Sequence, residues 1–188
     1  MGNGFVVSLQ NSINEERIAN IVGWAKVTTN LWGERWSKLT QNSMGNGISA
    51  STGMNGRAMI AWETSRRISI RLAGEAIKIG RALGYDLEPI RGAPPEKWVA
   101  ASDGDPAALE AVEGATLDAM ERMSEGRLST GQDMLKGRRT EIDFINGLVV
   151  EKGEAVGIAA PTHAALTQLV KRVECGEIEA HPRNIEAL

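Results

Sequence analysis

Cysteine is nearly absent from this sequence: Cys175 is the only one in 188 residues. An internal disulfide is therefore excluded, as is a metal site built from cysteines alone, and the usage fits a reducing compartment. His163 and His181 are too few and too isolated to frame a zinc site. Neither sign of charge dominates. With 21 Lys and Arg against 24 Asp and Glu the net charge is -3, which leaves no electrostatic footprint for nucleic acid. The basic cluster Arg66, Arg67, Arg71, Lys78 and Arg81 is diluted by Glu63 and Glu75 and reads as the wet side of a helix. No stretch approaches the roughly 20 apolar residues of a membrane span. The start MGNGFVVSLQNS lacks the charged beginning and long apolar run of a signal peptide. A cytoplasmic protein, with neither nucleic acid nor membrane as partner, is the expectation.

What is present is a large apolar fraction, 42%, enough for a packed core. Residues 4–11, GFVVSLQN, read as a strand, and residues 12–22 as a helix with acidic residues in its first turn. That is half of an α/β unit. From residue 30 onward the pattern is helical. Over residues 57–83, Ile68, Leu72, Ala76, Ile79 and Leu83 share one face and Ile70, Ala73 and Ile77 another, which predicts one long helix at the centre of a bundle. A short helix around Trp98 follows, then one opened by Asp105-Pro106 with Leu109, Val112, Thr116, Met120 and Met123 inward. Ile142, Ile145, Val149 and Val156 keep a helical period over residues 139–156, and Gly147 within it predicts close approach of another backbone. Pro161-Thr162 opens the last helix, and beyond Gly176 the chain reads as a polar, frayed tail. Trp62 and Trp98 fit core packing better than a pocket.

The most informative stretch is residues 31–55, LWGERWSKLTQNSMGNGISASTGMN. Positions four apart advance about 40° round a helix, so Lys38, Asn42 and Asn46 line one narrow polar stripe. Trp32, Trp36, Leu39 and Ser43 are expected toward the core, with Gly45, Gly47 and Gly53 bending or breaking the later part. On pattern alone the stripe is either a device for holding a polar ligand or the solvated face of a surface helix.

The segments WGERWSKLTQNS, GRRTEIDFINGLVVEKGEAVGI and PTHAALTQLVK, in that order, resemble the C-terminal helical domain of the ketopantoate reductase family over most of residues 31–174. The resemblance implies NADPH-dependent reduction of 2-dehydropantoate or a related 2-keto acid in pantothenate biosynthesis. In it Lys38 is the general acid that protonates the carbonyl oxygen, and Glu141 is the carboxylate that orients it. Without the resemblance, Glu141 is equally a structural ion-pair partner or a charge at a helix start. Asn42, Asn46, Ser129 and, in less certain register, Asn55 match substrate-binding positions. Asn11, in LQNS, matches a residue near the nicotinamide, with Ser12 where the family has glycine. Gly126 stands where some members carry a further asparagine.

The departure is equally specific, for no G-x-G-x-x-G dinucleotide fingerprint occurs anywhere in the chain. The reading is therefore mainly α. Residues 1–29 are a strand-helix remnant of a nucleotide-binding α/β domain, 30–176 the helical substrate domain, and 177–188 a tail. Two functions follow: a truncated 2-keto acid reductase whose binding of NADP(H) by this chain alone is doubtful, or a non-catalytic helical interaction domain derived from that family. Either way the implied surface predicts a homo-oligomer or a separate nucleotide-binding subunit.

Overall fold

The computed structural model describes residues 28–120 and 128–188. The strand over 4–11, the helix over 12–22, Asn11, Met123 and Gly126 lie outside the described residues. The chain divides into two compact units, Met1–Leu31 and Trp32–Leu188. The second is built of helices, and among the described residues the only β feature is an isolated bridge between Ile90 and Ala93. The mainly α expectation holds.

In chain order the helices are α1 (Leu31–Ser43), α2 (Asn46–Thr52), α3 (Gly56–Ala61), α4 (Glu63–Ala82), α5 (Pro95–Ser102), α6 (Pro106–Met120), α7 (Ser129–Leu135), α8 (Ile142–Val156) and α9 (Pro161–Glu174), followed by a short 3-10 turn, Pro182–Ile185. The two-sided apolar pattern places α4 at the centre. Its Ile68 and Leu72 join Ile48, Ile142, Leu166, Val170 and Ile185 in one core cluster. Ile70, Ala73 and Ile77 pack with Met44, Ile90, Trp98 and Val112 in a second. Ala76 and Ile79 pack with Trp36, Val149 and Ala160 in a third. A single helix thus supplies every cluster, which is what two apolar faces permit.

The expected helix over 57–83 is interrupted. Trp62 takes extended dihedrals (φ -90, ψ 119) between α3 and α4. The carbonyls left open at the end of α3 are satisfied from the next helix, because Arg66 Nη1 donates to Ile60 O at 2.8 Å and to Ala61 O at 3.0 Å. Arg66 also faces Glu113 of α6 at 3.4 Å, so this basic residue is structural rather than wet. Trp98 is fully buried and its Nε1 donates to Ile90 O at 2.9 Å, a core role as expected.

Three further expectations are corrected. Trp32 is 60% exposed, and Leu39 only half-buried. The buried stripe of α1 runs through Gly33, Trp36, Ser37, Thr40 and Ser43, and Trp32, in the first turn and about 40° from Trp36, lies at its edge. Its ring lies 6.3 Å from that of Tyr85 and carries the Arg35 guanidinium at 5.6 Å. A β-carbon on Gly147 would meet nothing nearer than 3.6 Å, and then only its own helix; the close approach is at Gly153, where a β-carbon would stand 2.4 Å from Ile158 O and 2.9 Å from Ile79 Cδ1. Nor is the tail frayed. Ile185 is fully buried in the first cluster, and His181 N and Asn184 Nδ2 both donate to Ser51 O, at 3.1 and 2.9 Å. Ile185, with Ile178 and Leu188 packed beside it, and these two hydrogen bonds hold the segment in place.

Candidate functional site

Lys38, Asn42 and Asn46 follow one another into the protein: Lys38 is exposed, Asn42 half-buried and Asn46 only 7% exposed. They do not share one continuous helix. Gly45 N reaches back only to Asn42 O, at 3.3 Å, a tighter three-residue closure that ends the first helical run, and Asn46 opens α2. Asn55 sits beyond the opposite end of α2, where its Oδ1 accepts from Ala58 N at 2.8 Å and caps α3.

The glycines flanking Asn46 decide what meets it. A β-carbon on Gly45 would stand 2.8 Å from Leu128 Cδ1; one on Gly47 would stand 2.8 Å from Leu166 Cδ2 and 3.1 Å from Ile142 Cδ1. Leu128 immediately precedes Ser129, the exposed first residue of α7, and Ile142 immediately follows Glu141, the exposed residue at the N-cap of α8. Leu128 and Ile142, the chain neighbours of Ser129 and Glu141, thus lie close to Gly45 and Gly47 on either side of Asn46; Ser129 and Glu141 themselves are exposed and stand 83 and 95 positions beyond Asn46 in the chain. Glu141 is held from both sides. Thr140 N donates to the Glu174 carboxylate, and Asp143 pairs with Lys171 Nζ at 2.5 Å, so the start of α8 is fastened to the end of α9.

Beside Ser129 and Glu141, the buried hydroxyls of Thr130 and Thr140 make no hydrogen bond among the described residues. Thr40, Ser43, Ser49, Ser51 and Thr52 are buried and spent on main-chain carbonyls of their own segment. Lys38, Asn42, Asn46, Ser129 and Glu141 make no side-chain hydrogen bond or ion pair among the described residues. Lys38 and Glu141 in particular form no direct ion pair.

Beneath the junction lies a buried polar chain. Asn146 Nδ2, in α8, donates to Ser43 O at 3.1 Å and to Nδ1 of His163 at 3.1 Å, while Nε2 of His163, in α9, donates to Leu72 O of α4 at 2.9 Å. Both residues are fully buried, and burial pushes the His163 imidazole down to about 4, which keeps it neutral. A neutral ring protonated at Nε2 is the tautomer that this pattern demands. Neither residue stood out in the sequence. The available signal was a polar side chain at a core position: Asn146 between Ile142 and Val149, and His163 one turn before Leu166.

The sequence matches the family described as the ketopantoate reductase PanE/ApbA C-terminal domain over residues 30–174. The chain belongs to that family. It is 27% identical over 174 residues to a 2-dehydropantoate 2-reductase of Pyrococcus horikoshii, a match covering 92% of this chain and 48% of the relative. It is 30% identical over 145 residues to one of Archaeoglobus fulgidus, covering 75% and 40%. A crystal structure of a PanE/ApbA family ketopantoate reductase from Ralstonia eutropha superimposes with a TM-score of 0.66 at 26% identity, covering 88% of this chain and 50% of that one. A D-mandelate dehydrogenase in complex with NADH has the same helical fold, with a TM-score of 0.68 at 21% identity. The chain thus spans about half the length of the relatives it matches.

Proposed function

We propose that this chain is the substrate-binding and proton-donating part of an NADPH-dependent oxidoreductase that reduces 2-dehydropantoate or a closely related 2-keto acid. The observation that supports it is that Lys38 and Asn42 on α1, Asn46 at the head of α2, and Ser129 and Glu141 at the heads of α7 and α8 make no side-chain hydrogen bond or ion pair among the described residues, while Leu128 and Ile142 beside the last two lie close to the glycines flanking Asn46. Asn42 and Asn46 hydrogen-bond the substrate's polar groups, and Ser129 donates to its carboxylate. Lys38, as an ammonium, gives a proton to the carbonyl oxygen as that oxygen becomes an alkoxide, and Glu141 attracts and orients the ammonium. The product is a 2-hydroxy acid.

The hydride comes from NADPH, yet the described residues hold no G-x-G-x-x-G turn leading from a strand into a helix, which is the cradle a dinucleotide pyrophosphate takes. No step through the cofactor is assigned to these helices. Phe144, 73% exposed and three residues past Glu141, fits a surface that another polypeptide covers in the working protein, either a second copy or a nucleotide-binding subunit.

Titration of the chain with 2-dehydropantoate, followed by NMR, tests the reading. Binding that disappears in Lys38→Ala and weakens in Asn42→Ala, both folded, supports it. Absence of binding at millimolar ligand, or binding indifferent to both substitutions, refutes it.

A further inference from the structure

We propose that Asn146 is a positioning residue for this site, a role that rests on the substrate-binding reading just given. Its amide does not reach the uncommitted side chains. It bonds instead to the carbonyl of Ser43, the last residue of α1, one position past Asn42 and three before Asn46. Asn146 lies in the same helix as Ile142 and five residues beyond Glu141. The Ser43–Asn146 bond therefore ties the end of the helix carrying Lys38 and Asn42 to the helix headed by Glu141, at the level where the chain turns into Asn46.

His163 makes that tie directional. Its Nδ1 accepts from Asn146, and its Nε2 is occupied by Leu72 O of the central helix, so the ring cannot turn to offer Asn146 a donor. Asn146 must then point its NH2 at both Ser43 O and the ring, and its Oδ1 is left buried with no partner. A residue serving only to fill the core would not carry an acceptor with nothing to accept. What the amide secures is the place of the Ser43 carbonyl, and through it the register of α1 against α8.

Two variants separate positioning from packing. Asn146→Asp keeps the volume but presents an acceptor to Ser43 O. His163→Gln keeps one acceptor and one donor. In Asn146→Asp the NMR signals of the Asn42 and Asn46 side-chain amides and of the Gly45 amide move, and affinity for 2-dehydropantoate falls at least tenfold at a temperature where the chain is fully folded. In His163→Gln both stay near wild type. A merely structural Asn146 would lower the melting temperature and leave signals and affinity in place, and that result overturns the proposal. Should Asn146→Asp not fold, Asn146→Leu is read in the same way. If the wild-type chain binds no 2-dehydropantoate, the functional reading fails on its own; the amide signals still decide whether Asn146 sets the junction, unmoved signals rejecting it and moved ones retaining it.

Discussion

Gly45 and Leu128 are in contact such that a β-carbon on the glycine would lie 2.8 Å from the leucine Cδ1. In its present rotamer the leucine that precedes Ser129 occupies the space a side chain at position 45 would take. Gly47 likewise lies close to Leu166 and to Ile142, the first residue of α8. The arrangement yields measurable consequences.

Asn46 contributes no side-chain hydrogen bond to the fold, so Asn46→Ala leaves stability within about 1 kcal/mol of wild type. It nonetheless weakens 2-dehydropantoate binding about tenfold, equivalent to roughly 1.4 kcal/mol. Urea unfolding and ligand titration on the same sample check the pair of outcomes.

The two glycines of α8 respond oppositely. Gly147→Ala meets nothing nearer than 3.6 Å and raises stability by about 0.5–1 kcal/mol through helix propensity. Gly153→Ala meets a main-chain oxygen at 2.4 Å and lowers stability by about 1–3 kcal/mol. Denaturant midpoints of the two variants rank them.

His163 gives the fold an acid-sensitive component. In the unfolded chain the imidazole takes a proton near 6.5, whereas in the folded protein burial delays this to about 4. The folded-state value is the lower one, so stability is fully present above 6.5 and declines as pH falls through the window toward 4, by up to about 3 kcal/mol. His163→Gln removes this component. The wild-type loss of stability between pH 7 and pH 4.5, measured by chemical denaturation, therefore exceeds that of the variant.

Ile185 anchors the C-terminal segment from within the main core cluster. Ile185→Ala costs about 2–5 kcal/mol, a core-sized effect from a position three residues before the last, read from the thermal midpoint.

How much of this was legible in the sequence varied with the physics. The central place of α4 follows from a period that repeats over five turns, and repetition makes a pattern visible. The break at Trp62 is one residue in extended conformation, satisfied by Arg66 from the following helix, and no local signal announces a cap supplied from outside. Gly147 and Gly153 look alike as letters; which one is pressed depends on Ile158, brought back by the left-handed turn at Gly157 (φ 71). Ile178, Ile185 and Leu188 stand apart from one another in a short polar segment and keep no helical or strand period, so periodicity says nothing of them. The candidate site came from family resemblance rather than from pattern. The structure adds Asn146 and His163, whose hydrogen bonds are made to partners far away in the chain.

Glu75 of α4 receives hydrogen bonds from Thr162 N at 3.0 Å and His163 N at 3.2 Å, the open amides in the first turn of α9. Such a terminus is ordinarily closed by its own N-cap residue, but here residue 160 is an alanine that makes no such bond. The start of α9 thus depends on a carboxylate nearly ninety residues upstream. A peptide of residues 161–174 would unravel from its first turn, and in the whole chain that turn is completed only as α9 docks on α4. The local beginning of this helix is a long-range event, of the high contact order that slows folding in a protein otherwise made of neighbouring helices.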